Sequence, residues 1–269
     1  MVVEISSRDN PFVKEYIKLK TNKKHRKNSS RVAVEGPNLV FEALNSGYIP
    51  DLIFLTRTYL EKDYAKIKAI LPPGIKALII NERLFKLMAD TDAPQEVAAI
   101  FNFSYLVAEN ASAEHKGPVL ILDRISDPGN VGTIIRTAAA AGASQVIYTD
   151  DCADPYGPKA LRATAGAIFR LKPELLYKPL EFLPLLKKKG FQVVAANSGN
   201  GLDYRSIDYS NPTALIIGKE SEGVSAELSF AADIEVTIPL QGGVDSLNAA
   251  VAAGILLFEV IRSRNNHCT

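Results

Sequence analysis

The sequence predicts an α/β protein in two parts, a smaller N-terminal α/β domain and a C-terminal domain built on a parallel sheet. Three observations carry that prediction. Beyond about residue 118, short runs that are apolar on both faces alternate with helical stretches, the pattern of a parallel sheet covered on both sides. Ahead of it, about 100 residues alternate strands and helices of their own, enough for a separate core. Between the two, residues 105–117 are polar and rich in Ala and Ser without apolar periodicity, and read as a linker. The expected domains are therefore 1–104 and 118–269.

In the first part, Phe12, Tyr16 and Leu19 share one face of a helix expected over 10–20. A strand (32–35), a helix (37–46) and a strand (52–55) follow, with Pro37 suited to a first turn and Gly47 to the position past an end. A helix around 59–71, a strand (77–80), a short helix (82–88) and a strand (97–102) complete it. In the second part the expected strands are 119–122, 146–149, 193–196, 214–217 and 235–238. The helices between them are 131–141, 159–169, 180–189, a short one over 224–230 that Ser225 can cap, and a long one over 246–261. Ser246 is the cap candidate for the last.

Composition excludes several classes. Of 269 residues 47% are hydrophobic and 23% charged, the proportions of a globular protein rather than a disordered one. No apolar run reaches the roughly 18 residues of a spanning helix, and the start, MVVEISSRDN, lacks the basic and apolar blocks of a signal peptide. Cys152 and Cys268 sit in unrelated contexts that suggest neither a disulfide nor a metal site. A cytoplasmic location, with no membrane and no metal, is the expectation.

The net charge of +1 hides an asymmetry. Residues 1–31 carry nine basic side chains against Glu4, Asp9 and Glu15, hence +6, and the rest of the chain carries −5. The density peaks in TNKKHRKNSSR, residues 21–31. A solvated helix and loop is one reading of such a run; a phosphate-binding arm using Lys23, Lys24, Arg26, Lys27 and Arg31 is the other.

Other chemistries are missing. GKES at 218–221 looks like the end of a P-loop, but Thr213 stands where that motif needs its first Gly. DPGNVGTIIR offers only Gly129 and Gly132, and Gly199/Gly201 lack a third glycine, so neither forms a dinucleotide-binding turn. His25, His115 and His267 lie in a basic tract, a linker and a tail, without triad or metal partners nearby.

Three segments remain. In LDRISDPGNVGTIIRTAAAAGA (122–143) a strand enters a polar turn and then a helix of small residues whose single charge from Val131 to Gly142 is Arg136. Burying such an Arg requires an anionic or carbonyl partner, whether a structural ion pair or a substrate. In ALIIGKESEGVS (214–225) a strand ends at Gly218 and is followed by Glu220 and Glu222, where open α/β sheets place ligands. In IPLQGGVDSLNAAVAAGILLFEV (238–260) a strand runs into a glycine loop and then a helix whose first turn holds Ser246 and Asn248. Singly, each is also an ordinary structural feature.

Together they resemble the three motifs of the SpoU/TrmH branch of the SPOUT RNA methyltransferases: N-V-G-x-x-x-R at 130–136, G-x-E-x-x-G at 218–223, and I-P followed by S-L-N over 238–248. Order and separation agree across about 118–262. R-x-A-V-E-G (31–36) and L-V-x-E-A-L (39–44) are similar to the family's N-terminal substrate-binding domain, which is L30-like. One departure is Thr164, in the stretch 163–167 where members commonly carry a Ser.

The resemblance implies a deep trefoil knot in the C-terminal domain, a homodimer through it, and S-adenosylmethionine bound in it by Asn197, Gly218, Ile238 and Leu247. It implies methyl transfer to a ribose 2′-hydroxyl, with Arg136 acting on the acceptor and Asn130, Glu220, Ser246 and Asn248 orienting the participants. Arg holds its proton to a pKa above about 12, so a clamp on phosphate or alkoxide suits Arg136 better than a base. The expected RNA is ribosomal rather than transfer RNA. The rivals are a transfer-RNA or base-methylating enzyme of the same fold and a non-catalytic RNA-binding or ribosome-assembly protein.

Overall fold

The computed structural model of the chain describes residues 3–89, 95–109, 117–199 and 201–266. His115, His267, Cys268 and most of the expected linker, 110–116, lie outside them. The chain forms two compact units, 1–105 with 156–170, and 106–155 with 171–269.

The first unit runs β1 (Val3–Ile5), α1 (Pro11–Thr21), α2 (Lys23–Ser29), β2 (Arg31–Glu35), α3 (Pro37–Asn45), β3 (Pro50–Thr56), α4 (Arg57–Lys62), α5 (Tyr64–Lys68), β4 (Lys76–Ile80), α6 (Glu82–Met88) and β5 (Val97–Asn102). Its five strands lie in the order β1-β4-β3-β5-β2, with β5 antiparallel to both neighbours and the other pairs parallel. One face is covered by Val13, Tyr16 and Leu19 of α1 and by Leu84, Phe85 and Met88 of α6, packed on Leu52, Phe54, Leu78 and Ile100.

The basic tract 21–31 is not an extended arm. Asn22 ends α1 and begins α2, its side chain accepting from the His25 backbone N–H at 2.9 Å. The helix expected over 59–71 is divided at Asp63, which leaves helical geometry at φ −129°, ψ 0°.

The second unit begins with β6 (Leu106–Val107), β7 (Val119–Leu122), α7 (Pro128–Ala140) and β8 (Gln145–Thr149). The chain then returns to the first unit as α8 (Pro158–Thr164) and a 3-10 turn, Ala167–Phe169. The single helix expected over 159–169 is broken there by Ala165 and Gly166, both at positive φ. Thr164 is fully buried, its hydroxyl donating to the Leu161 carbonyl at 2.7 Å and accepting from the Gly166 N–H at 3.2 Å. Aromatic rings fix this return: Tyr156 lies 4.5 Å from Phe103, and Phe169 lies 5.4 Å from Tyr48.

The second unit resumes with β9 (Glu174–Leu176), α9 (Pro179–Lys188), β10 (Gln192–Ala196), β11 (Leu202–Asp203), β12 (Thr213–Ile217), α10 (Ala226–Ala231), β13 (Ile234–Thr237) and α11 (Ala249–Asn266). The eight strands take the order β11-β13-β10-β12-β7-β8-β9-β6, and every recorded pair is parallel. The start of the expected linker is a strand here, because Leu106 and Val107 extend the sheet beside β9. β7, β8, β10 and β12 supply buried residues such as Leu120, Ile147, Val194 and Leu215. No helix among the described residues is long and apolar enough to cross a membrane.

Candidate active site

The carboxyl ends of β7, β12, β10 and β13 lie side by side, the place where an open parallel sheet leaves room for a ligand. There a pocket open to solvent is lined from β10 by Asn197, from β12 by Gly218, from β13 by Ile238, and from the loop before α11 by Ser246 and Leu247. All four residues expected to hold the cofactor are among its walls. Ile217, Leu240 and Leu256 make the rest of the wall apolar, and Lys219 and Glu220 stand at it as polar groups.

Glycine is required at 218. A Cβ there would sit 2.1 Å from the Gly223 carbonyl, so the two arms of the 218–223 turn touch backbone to backbone. Gly223 takes φ +68° and donates to the Lys219 carbonyl at 2.8 Å, closing the turn. Asn197 secures the far arm: its Oδ1 accepts from the Val224 N–H at 3.0 Å. Its Nδ2 donates to Ser229 Oγ at 2.7 Å and to Glu235 at 3.0 Å. Hydrogen bonds from Ser229 and Asn197 hold the Glu235 carboxyl below its ordinary pKa.

The three motifs meet through side chains. Asn248 Nδ2 donates to Asn130 Oδ1 at 3.0 Å, and Asn130 Nδ2 donates to Glu220. One amide thus joins α7, the 218–223 turn and the start of α11. Asp127 caps α7 by accepting from the Asn130 N–H at 2.9 Å, which sets that residue in the first turn.

Two expectations are corrected. The side chain that caps α11 is Asn248, whose Oδ1 accepts from Ala250 N at 2.9 Å and Val251 N at 3.3 Å; Ser246 lies exposed before the helix, facing the pocket. Arg136 is not buried with a partner. It is exposed on α7 and is not part of the pocket wall. Six residues on from Asn130, it points about 120° away around the helix.

The basic residues divide similarly. Arg26 is 5% exposed, and its guanidinium donates to the Leu19 and Lys20 carbonyls at 2.6 and 3.0 Å, satisfying the end of α1. Arg31 donates to Glu15 at 2.5 Å. Lys24 is exposed, and Lys23 and Lys27 are half-buried.

A second ring of charge stands beside the turn, and of its members the sequence points only to Glu222. Asp123, 3% exposed at the end of β7, accepts from the Ser225 N–H at 2.7 Å. Arg124, at φ +56°, donates to Asp123 at 3.3 Å, to Glu222 at 2.8 Å and to the Gly223 carbonyl at 3.3 Å. Burial works against the Arg124 charge, but the Asp123 and Glu222 carboxylates outweigh it and raise its pKa. Lys219 first and Arg124 second hold the Glu222 carboxyl below its usual range. Among the described residues no His/Cys/Asp/Glu group could hold a metal.

Comparison with known proteins agrees with this geometry. Residues 117–258 match the SpoU rRNA methylase family, and residues 10–99 match the MRM3-like substrate-binding domain. The 23S rRNA (guanosine(2553)-2'-O)-methyltransferase RlmP of Bacillus subtilis (strain 168) is 36% identical, over 96% of this chain and 98% of its own. A crystal structure of an AdoMet-bound rRNA methyltransferase from Sinorhizobium meliloti superposes with a TM-score of 0.85 at 37% identity, covering 97% of this chain and 98% of that one. The AdoMet complex of the SpoU methyltransferase AviRb from Streptomyces viridochromogenes gives 0.84 at 26% identity, over 96% and 100% of the two chains. With the three motifs joined by the Asn248–Asn130–Glu220 hydrogen bonds and both parts matched, the chain belongs to the SpoU rRNA methylase family.

Proposed function

We propose that this protein transfers a methyl group from S-adenosylmethionine to a ribose 2′-hydroxyl of ribosomal RNA, working as a homodimer. The observation that carries the reading is the hydrogen-bonded chain Asn248–Asn130–Glu220 at the rim of the pocket. The pocket fits the cofactor in its chemistry: apolar groups from Ile217, Leu240 and Leu256 stand beside the polar Asn197, Glu220 and Ser246. Asn197, Gly218, Ile238 and Leu247 would hold it, and when bound it supplies a methyl group activated on a sulfonium.

The chain's own tasks are to place the acceptor oxygen in line and to ease loss of its proton. Asn130 is held on both sides of its amide, so it is a fixed reference for the acceptor. Ser246 presents its side chain to the same space. Arg136 serves as a clamp on substrate phosphate or on the developing alkoxide. Its direction on α7 takes it away from its own pocket, which supports action on the acceptor in a partner subunit's site. The partner surface is supported by α11, where Val251 and Phe258 are exposed and Ile255 half-buried at i, i+4, i+7, an apolar stripe. The trefoil knot belongs to the same proposal, as the family resemblance implies. Lys23, Lys24 and Lys27 of α2 are the proposed phosphate contacts.

The test is transfer of labelled methyl from S-adenosylmethionine to ribosomal RNA from a strain lacking the gene, with the product mapped by mass spectrometry. Label on a ribose is the expected result. Label on a base, or on transfer RNA alone, would replace the acceptor, and no transfer would leave an RNA-binding protein.

A further inference from the structure

Arg124 is a non-glycine residue in the left-handed region at φ +56°, a conformation that glycine adopts more easily. Such a residue persists where its surroundings over-determine it. Here they do so across the sheet. The Arg124 backbone N–H is held by Thr149 Oγ1 at 3.1 Å, at the end of the neighbouring strand. Its guanidinium then spans Asp123 on its own strand and, 98 and 99 residues away, the Glu222 carboxylate and the Gly223 carbonyl. The turn it grips is the one whose Gly218, Lys219, Glu220 and Gly223 line the pocket, and whose Glu220 holds Asn130. Glu222 is drawn in at the same time by Lys219 at 2.5 Å, so the turn is braced internally as well.

We infer that Arg124 is a positioning residue for methyl transfer, clamping the 218–223 turn in the shape that lines the cofactor pocket and brings Glu220 to Asn130; the inference rests on the reading of that pocket as an S-adenosylmethionine site. A planar guanidinium reaches three acceptors in fixed directions, which a lysine ammonium cannot reproduce. The left-handed backbone aims that fork out of the end of β7 and over the turn.

The experiment is calorimetric titration of the purified full-length protein with S-adenosylmethionine, alongside near-UV circular dichroism as a control for folding. Arg124→Gly accepts the backbone conformation and removes the clamp; Arg124→Lys keeps the charge and removes the fork. Both are expected to bind S-adenosylmethionine about 10-fold more weakly, the loss of one or two charge-assisted bonds. The double variant Arg124→Gly/Glu222→Ala is expected to lose less affinity than the two single penalties summed, because both changes remove the Arg124–Glu222 pair while Glu222→Ala also removes the Lys219 brace. Unchanged affinity in the folded single variants would overturn the inference, and so would penalties that add in the double variant. A wild-type protein that binds no S-adenosylmethionine would overturn the reading of the pocket itself, and this inference with it.

Discussion

Arg136 and Asn248 show how differently residues of neighbouring motifs are placed. Arg136 is exposed and outside the pocket wall, so Arg136→Ala is expected to cut turnover by about 10²–10³-fold, the scale of losing one charge-stabilising donor, while S-adenosylmethionine affinity stays within a factor of two or so. Retained methylation in that variant would remove Arg136 from the mechanism. Asn248 both caps α11 and holds Asn130, so Asn248→Ala is expected to lose about 1 kcal/mol of stability from the cap as well as activity. Asn248→Asp keeps the cap acceptor but not the donor to Asn130, and should recover the stability without the activity. Glu235 adds a pH dependence. Its folded pKa is depressed by Ser229 and Asn197, so its contribution is present above the ordinary carboxylate range and is lost as pH falls through the depressed value. Folding stability should therefore weaken on the acid side, and Glu235→Gln should flatten that limb in denaturant unfolding across pH.

Among elements, α2 and α11 carry the sharpest expectations. On α2, Arg26 is committed to the carboxyl end of α1, and Lys24 is exposed. Changing Lys23, Lys24 and Lys27 together to Gln should lower the slope of log K against log salt by about 2 for an RNA substrate, with melting temperature nearly unchanged. Arg26→Ala should instead cost roughly 1.5–3 kcal/mol of stability, seen in denaturant unfolding. On α11, Phe258→Asp should convert a dimer to a monomer in light scattering, and a wild-type monomer would sink the homodimer. The longer strands and helices were legible in the sequence because their apolar periods run for several residues; 82–88 and 97–102 stand where the pattern puts them. Strands of two or three residues, β6 and β11 among them, are too short for any period and show only through pairing. Gly218, Ile238 and Leu247 were legible through the family resemblance of their motifs, and the fold brings all three to one pocket wall. Arg124 was not, because its meaning lies in a backbone angle and in partners about a hundred residues away. The cap on α11 was misread by two positions, since Ser and Asn are equally good cap chemistry and only geometry chooses.

At the scale of the whole molecule, the chain visits its first unit twice, as 1–105 and again as 156–170. A fragment beginning at residue 106 would carry Tyr156, Leu161, Ile168 and Phe169, all at most 3% exposed in the full chain, without the unit that buries them. Such a fragment is expected in the insoluble fraction when expressed alone, while the full chain stays soluble; a soluble fragment that binds S-adenosylmethionine would refute this. Recombination between relatives meets the same constraint. A crossover at the linker would part the first unit from fifteen of its own residues, so a chimera that exchanges that unit whole must exchange 156–170 as well. The first unit is encoded as two pieces of gene, and the second is lodged inside the stretch that matches the methylase family.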